Sequence, residues 1–172
     1  MKCLDNNSVK LGTLYGIGVG PGDEELLTLK AVNVIKKCDV VVAPSAKEGG
    51  SSIALETAKN FISEDKEVIV KHFPMGGAEQ EEKIYKAFKT IEEKLKDGKD
   101  VAFLTIGDPF VYSTYIYLLK YIKEQGYSTE TVPGITSFCA SASLAGENIV
   151  IGDERVLIMP ATQVDEIKDE KF

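Results

Sequence analysis

Short β-branched runs alternate with longer stretches whose apolar residues recur at helical spacing, and a parallel sheet with crossover helices accommodates that order. The runs are Leu11 to Val19, Asp39 to Ala43, Val68 to Lys71, Val101 to Ile106 and Ser128 to Val132. Helices are predicted between and after them, over Glu24 to Cys38, Ser51 to Ile62, Ala78 to Asp97, Val111 to Gln125 and Ile135 to Leu144. The wholly apolar Val40-Val-Val-Ala43 suits a strand covered on both faces. In the first helix Leu26, Leu27, Ala31, Val34 and Ile35 share a face; in the third, Ile84, Phe88, Ile91 and Leu95 do, and Gly98 ends it. Glu79 and Lys83, Glu82 and Lys86, and Glu92 and Lys96 stand four apart, as on a solvated face. The fold class is α/β, a five-stranded mainly parallel sheet with helices on both faces. It fills residues 1–133; residues 134–172 read as a linker helix and the incomplete start of a second α/β domain, with a strand at Arg155 to Met159, then Pro160 and a polar, weakly helical tail to Phe172.

Charge and rare residues narrow the chemistry. Lys and Arg number 20 against 27 acids, and Arg155 is the sole arginine, so the cationic field that nucleic acid requires is missing. No apolar run is long enough to span a bilayer and Met1 to Lys10 has no hydrophobic signal core, so a soluble, cytoplasmic protein without a membrane partner is expected. Cys3, Cys38 and Cys139 lie far apart and His72 is the one histidine, which argues against a protein-bound metal and against His-dependent triads. Cys38 and Cys139 read as small buried hydrophobes, and His72 as a satisfied or solvent-facing ring.

Ligands of open parallel sheets collect at the carboxyl ends of the strands. Three loops there are unusual. Tyr15-Gly-Ile-Gly-Val-Gly-Pro-Gly-Asp23 fails the dinucleotide pattern, because Pro21 stands where the third glycine belongs, and the chain has no P-loop. Asp23 to Glu25 read as a helix cap and its acidic first turn, whereas Gly20-Pro21-Gly22 offers bare backbone to a ligand. In Thr105-Ile-Gly-Asp-Pro-Phe-Val-Tyr-Ser-Thr114, Asp108 reads as an N-cap before a proline, and Tyr112 and Ser113 are expected to face the cleft. In Val132-Pro-Gly-Ile-Thr-Ser137, Thr136 and Ser137 bring hydroxyls and free N–H groups to a helix start. Tyr115, Tyr117 and Tyr121 read as packing or surface aromatics.

Taken in order, Gly18-Val-Gly-Pro-Gly-Asp23 with Leu26-Leu-Thr-Leu-Lys30, Gly107-Asp-Pro109 and Val132-Pro-Gly-Ile-Thr136 resemble the tetrapyrrole methylase family from Leu11 to about Pro160. The stretches Gly107 to Thr114 and Pro44 to Leu55 look most like the members that methylate C-20 of precorrin-2 or cobalt-precorrin-2 in cobalamin synthesis. The resemblance implies an S-adenosylmethionine-dependent C-methyltransferase of two domains, a homodimer with a tetrapyrrole substrate, leaving S-adenosylhomocysteine as product. It carries cofactor contacts onto Pro21, Ile106, Gly107, Asp108, Val111, Thr136, Ser137 and Met159. Tyr112 is the candidate catalytic group, and Lys47, Tyr112 and Ser113 are the candidate substrate contacts. The acid that siroheme-type members place after the second strand is here Pro44, so no base carries over, and the chain holds only the beginning of the family's second domain. The competing readings are another family member, acting on a different ring carbon, on diphthamide or on ribosomal RNA, and a non-catalytic nucleotide-binding module.

Overall fold

The computed structural model of the chain describes residues 10–73, 80–160 and 162–163, with the side chains of 80–83 set aside. Five strands, β1 (Thr13–Gly18), β2 (Val40–Ser45), β3 (Glu67–His72), β4 (Val101–Thr105) and β5 (Ser128–Val132), form one sheet in the order β3-β2-β4-β1-β5. All four pairings are parallel, with Gly18 opposite Thr105, Ile17 opposite Val132 and Val42 opposite Phe103. The helices α1 (Leu29–Lys37), α2 (Ile53–Ala58), α3 (Gln80–Lys96) and α4 (Tyr115–Glu124) make the crossovers.

Side-chain alternation along the central strands feeds two cores. Tyr15, Ile17, Val41, Ala43, Ala102 and Leu104 pack with Ala31, Val34 and Ile35 of α1 and Ala54 and Ala58 of α2. Leu14, Val40, Val42, Val101 and Phe103 face the other way, onto Phe88, Ile91 and Leu95 of α3 and Tyr115, Leu118 and Ile122 of α4. Strands β1, β2 and β4 are thus buried along almost their whole length, whereas edge strands β3 and β5 alternate over most of theirs. Each fully buried Leu, Ile or Phe contributes roughly 1.5–3 kcal/mol. The helices start where sequence caps them: the Thr28 hydroxyl accepts the Ala31 N–H (3.1 Å) and the Ser52 hydroxyl that of Leu55 (3.3 Å). Gly98, at φ +79°, closes α3.

The chain divides into two compact units, residues 1–136 and 137–172. The second contains α5 (Ser137–Ala145), and its Arg155 to Met159 segment is irregular rather than a strand. The expected helix over Glu24 to Cys38 is two pieces, a 3₁₀ turn at Glu24–Leu26 and α1, since Leu27 and Thr28 are extended and Thr28 caps anew. The α4 helix begins at Tyr115 rather than Val111, because Tyr112 adopts φ +47°. Glu92 takes its salt bridge from Lys89 (2.8 Å) rather than Lys96, and accepts the Tyr121 hydroxyl at 2.5 Å on a partly buried face. Cys38 is buried as expected, its thiol pushed up to about 12 chiefly by desolvation, but Cys139 is exposed on α5. Ala78, Glu79, Cys3 and the tail beyond residue 163 lie outside the described residues.

Candidate functional site

Strands β1 and β4 are neighbours, yet their following helices, α1 and α4, lie on opposite faces of the sheet. That divergence opens a crevice between the two carboxyl ends, the place where a doubly wound sheet receives a ligand. Two of the unusual loops leave from these ends, and β5 delivers the third alongside β1.

The three loops meet through glycine backbone. Gly107 donates its N–H to the Gly20 carbonyl (2.7 Å) and accepts that of Gly20 (3.3 Å), an isolated antiparallel bridge. A Cβ on Gly134 would stand 2.1 Å from the Gly107 oxygen and 2.8 Å from the Gly18 Cα, so only glycine permits the approach. Asp108 ties the junction: one carboxylate oxygen accepts the Phe110 N–H (2.8 Å), and the other the Gly134 N–H (3.1 Å). Asp108 is therefore not the N-cap of α4, which starts at Tyr115. Gly16 serves packing instead, because a Cβ there would meet the Tyr115 ring at 2.0 Å. Pro21 follows the Gly20 turn (φ +77°) and is half-buried; Ile106 is 39% exposed; Val111 donates its N–H to the Asp108 carbonyl (3.2 Å). Pro21, Ile106, Gly107, Asp108 and Val111 are thus brought to one rim. Thr136 follows the Gly134 junction, whereas Ser137, which opens α5, and Met159 belong to the second unit.

The candidate substrate contacts separate. Tyr112 is 65% exposed on the β4–α4 loop in a left-handed conformation that is unfavourable for tyrosine. Ser113 is buried, and its Oγ accepts the Tyr115 N–H (3.0 Å), so it closes a local turn just before α4 rather than offering a hydroxyl to the cleft. Lys47 lies on the exposed β2–α2 loop, its backbone bonded to the Ser45 hydroxyl. His72 ends β3 with Nδ1 3.1 Å from the Ser45 carbonyl oxygen. Among the described residues, no three His, Cys, Asp or Glu side chains are grouped to hold a metal, and no helix is long and apolar enough to cross a membrane.

Among the described residues, two buried side-chain hydroxyls, those of Thr136 and Thr105, have no hydrogen-bond partner. Sequence reasoning missed Thr105. Its one signal is a polar residue closing a strand that is otherwise Val-Ala-Phe-Leu.

Together these define an α/β protein with a glycine-lined loop junction at the β1–β4 switch point. The chain belongs to the tetrapyrrole (corrin/porphyrin) methylases, whose family pattern matches residues 13–172. It is 43% identical over 148 residues to a probable cobalt-precorrin-2 C(20)-methyltransferase of Methanocaldococcus jannaschii, covering 86% of this chain and 63% of that protein. It is 35% identical over 153 residues to the cobalt-precorrin-2 C(20)-methyltransferase of Salmonella typhimurium, covering 88% of this chain and 64% of that one. The chain thus spans somewhat under two thirds of the length of these relatives. Among solved structures, the cobalt precorrin-4 methyltransferase CbiF superposes with a TM-score of 0.66 at 28% identity, over 82% of this chain and 53% of that one. A cobalamin synthesis related protein, CobF, of Corynebacterium diphtheriae shares the fold, with a TM-score of 0.75 at 22% identity over 92% of this chain and 68% of that one.

Proposed function

We propose that this chain acts in S-adenosylmethionine-dependent methyl transfer to C-20 of precorrin-2 or cobalt-precorrin-2. The observation that carries the reading is the meeting of the β1, β4 and β5 loops, with a sealed, unpartnered Thr136 hydroxyl beside a junction of bare glycine backbone. That junction fits the methyl donor. Backbone without side chains lets a nucleoside come close, and nothing stands within 4 Å of where a Cβ on Gly22 or Gly107 would sit. The names borne by the two relatives point to the C-20 reaction.

When bound, the cofactor supplies an electrophilic methyl group on a sulfonium. Pro21, Ile106, Gly107, Asp108, Val111 and Thr136 are its contacts in this reading, with Thr136 giving its hydroxyl. Asp108 holds the Gly107 and Gly134 loops together, so the crevice keeps its shape before the ligand enters. In-line alignment can supply roughly 7–11 kcal/mol, which asks little of acid–base residues and suits a rim poor in histidine and cysteine. Tyr112 contacts the macrocycle and Lys47 pairs with one of its carboxylates. Cytoplasmic, homodimeric operation completes the proposal.

The test is to incubate the chain with methyl-labelled cofactor and either metal-free or cobalt-loaded substrate, and to locate the label by NMR. Label at C-20 is expected. Label on another ring carbon, or neither transfer nor binding of S-adenosylhomocysteine, overturns the reading.

A further inference from the structure

We propose that Thr105 is a second hydroxyl contact of the methyl-donor site, bonding to the S-adenosyl compound beside Thr136; the inference rests on the functional reading above. Thr105 is the last residue of β4, at the switch point itself, opposite Gly18 and directly before Ile106-Gly107-Asp108. Its backbone is satisfied, the carbonyl accepting the Val19 N–H at 2.9 Å, but its side chain is not. The residue is 7% exposed and its Oγ1 has no hydrogen-bond partner.

A sealed hydroxyl without a partner makes threonine a worse occupant than valine, which has the same branching, suits a strand and loses no hydration on burial. The four preceding positions of β4 are apolar, so the polar atom stands where packing alone asks for none. Among the described residues, its signature is shared by Thr136 alone, and the two flank one junction: Thr105 precedes Gly107 by two residues, and Thr136 follows Gly134 by two. The Gly107 oxygen is the atom that a Gly134 side chain would strike. What holds the Gly107 loop against β1 is a two-bond bridge, one bond of which is stretched to 3.3 Å. A ligand seated at this junction supplies the partner that Oγ1 lacks, so its hydrogen bond forms only in the liganded state.

Thr105→Val and Thr105→Ser variants of the full chain test this with S-adenosylhomocysteine as probe, by isothermal titration calorimetry and by thermal unfolding without ligand. Thr105→Val is expected to melt at or above the wild-type temperature and to bind about tenfold more weakly, with Thr105→Ser restoring the affinity. Unchanged affinity in Thr105→Val overturns the inference, and so does a lower melting temperature, which would mean that the hydroxyl is bonded within the fold. Failure of the wild-type chain to bind the probe strikes the functional reading first and this inference with it.

Discussion

Replacing Gly134 with alanine puts a methyl group where three pieces of backbone already meet. Its carbon would lie 2.1 Å from the Gly107 oxygen and 2.8 Å from both the carbonyl carbon and the Cα of Gly18. None of these is a side chain, so no rotamer change relieves the overlap, and the β4 loop must withdraw by more than an ångström. That movement breaks the Gly20–Gly107 pair (2.7 and 3.3 Å) and the bond from the Gly134 N–H to Asp108 (3.1 Å). Two backbone bonds at about 0.5–1.5 kcal/mol each and one to a carboxylate at about 1.5–3 give a loss of about 2.5–6 kcal/mol. For a chain of this size that lowers the melting temperature by about 10 °C. Gly107→Ala is the control: nothing stands within 4 Å of its Cβ position, and only its φ of +68° is penalised, at about 1–2 kcal/mol. Urea unfolding followed by circular dichroism compares the two. A Gly134→Ala variant no less stable than Gly107→Ala would refute the contact argument.

Asp108→Asn keeps the shape but turns an amide donor or a neutral oxygen toward the Phe110 and Gly134 N–H groups; a loss of about 2 kcal/mol and faster hydrogen exchange at Gly134 are expected, and unchanged exchange would show that the tie is unimportant. Tyr112→Gly relieves the left-handed backbone and should stabilise the free chain by about 1 kcal/mol in urea titration; a less stable variant would refute the strain argument. Alkylation mapped by mass spectrometry should modify exposed Cys139 quickly and leave Cys38 intact until the chain unfolds. The Cys38 thiol ordinarily ionises near 9 and in the fold at about 12, so the unfolded chain loses this proton first and stability should fall as pH rises between those values, by about 1.4 kcal/mol per unit. In Cys38→Ala that slope should be absent from alkaline denaturation curves; an unchanged slope would assign it to other groups.

The sheet was legible because its signal is long-range and redundant. Valines at 40–42 and the helical spacing of Phe88, Ile91 and Leu95 state both periodicity and burial, and the two cores use those residues. Boundaries were less legible where one residue's backbone decides. Leu27 and Thr28 interrupt the first helix because the Thr28 hydroxyl caps better than it propagates, and the φ of Tyr112 delays α4; neither leaves a mark on hydrophobic pattern. The Arg155 to Met159 segment has the composition of a strand, but strand propensity depends on context and the segment is irregular. At the rim, the resemblance pointed to the Gly107 and Gly134 loops, while the division of labour among the glycines needed coordinates: Gly16 yields to the Tyr115 ring, Gly18 to another loop. Ser113 and Asp108 were misplaced for the same reason, since both bond to backbone groups two residues on. Thr105 passed unremarked because an unsatisfied hydroxyl is a property of its surroundings.

Tyr115 has an effect beyond its own ring. Stacked against Phe103, seated on Gly16 and hydrogen-bonded to the Thr131 hydroxyl at 2.8 Å, it fastens the start of α4 to three strands at once. The end of β4 is fastened by its ladder to β1. Residues 106–114 are therefore suspended between two fixed posts, with the side chains of Ile106, Phe110 and Tyr112 exposed between them. Such a segment can be exchanged as a cassette, letting descent with modification retune what the rim accepts while the sheet beneath stays the same.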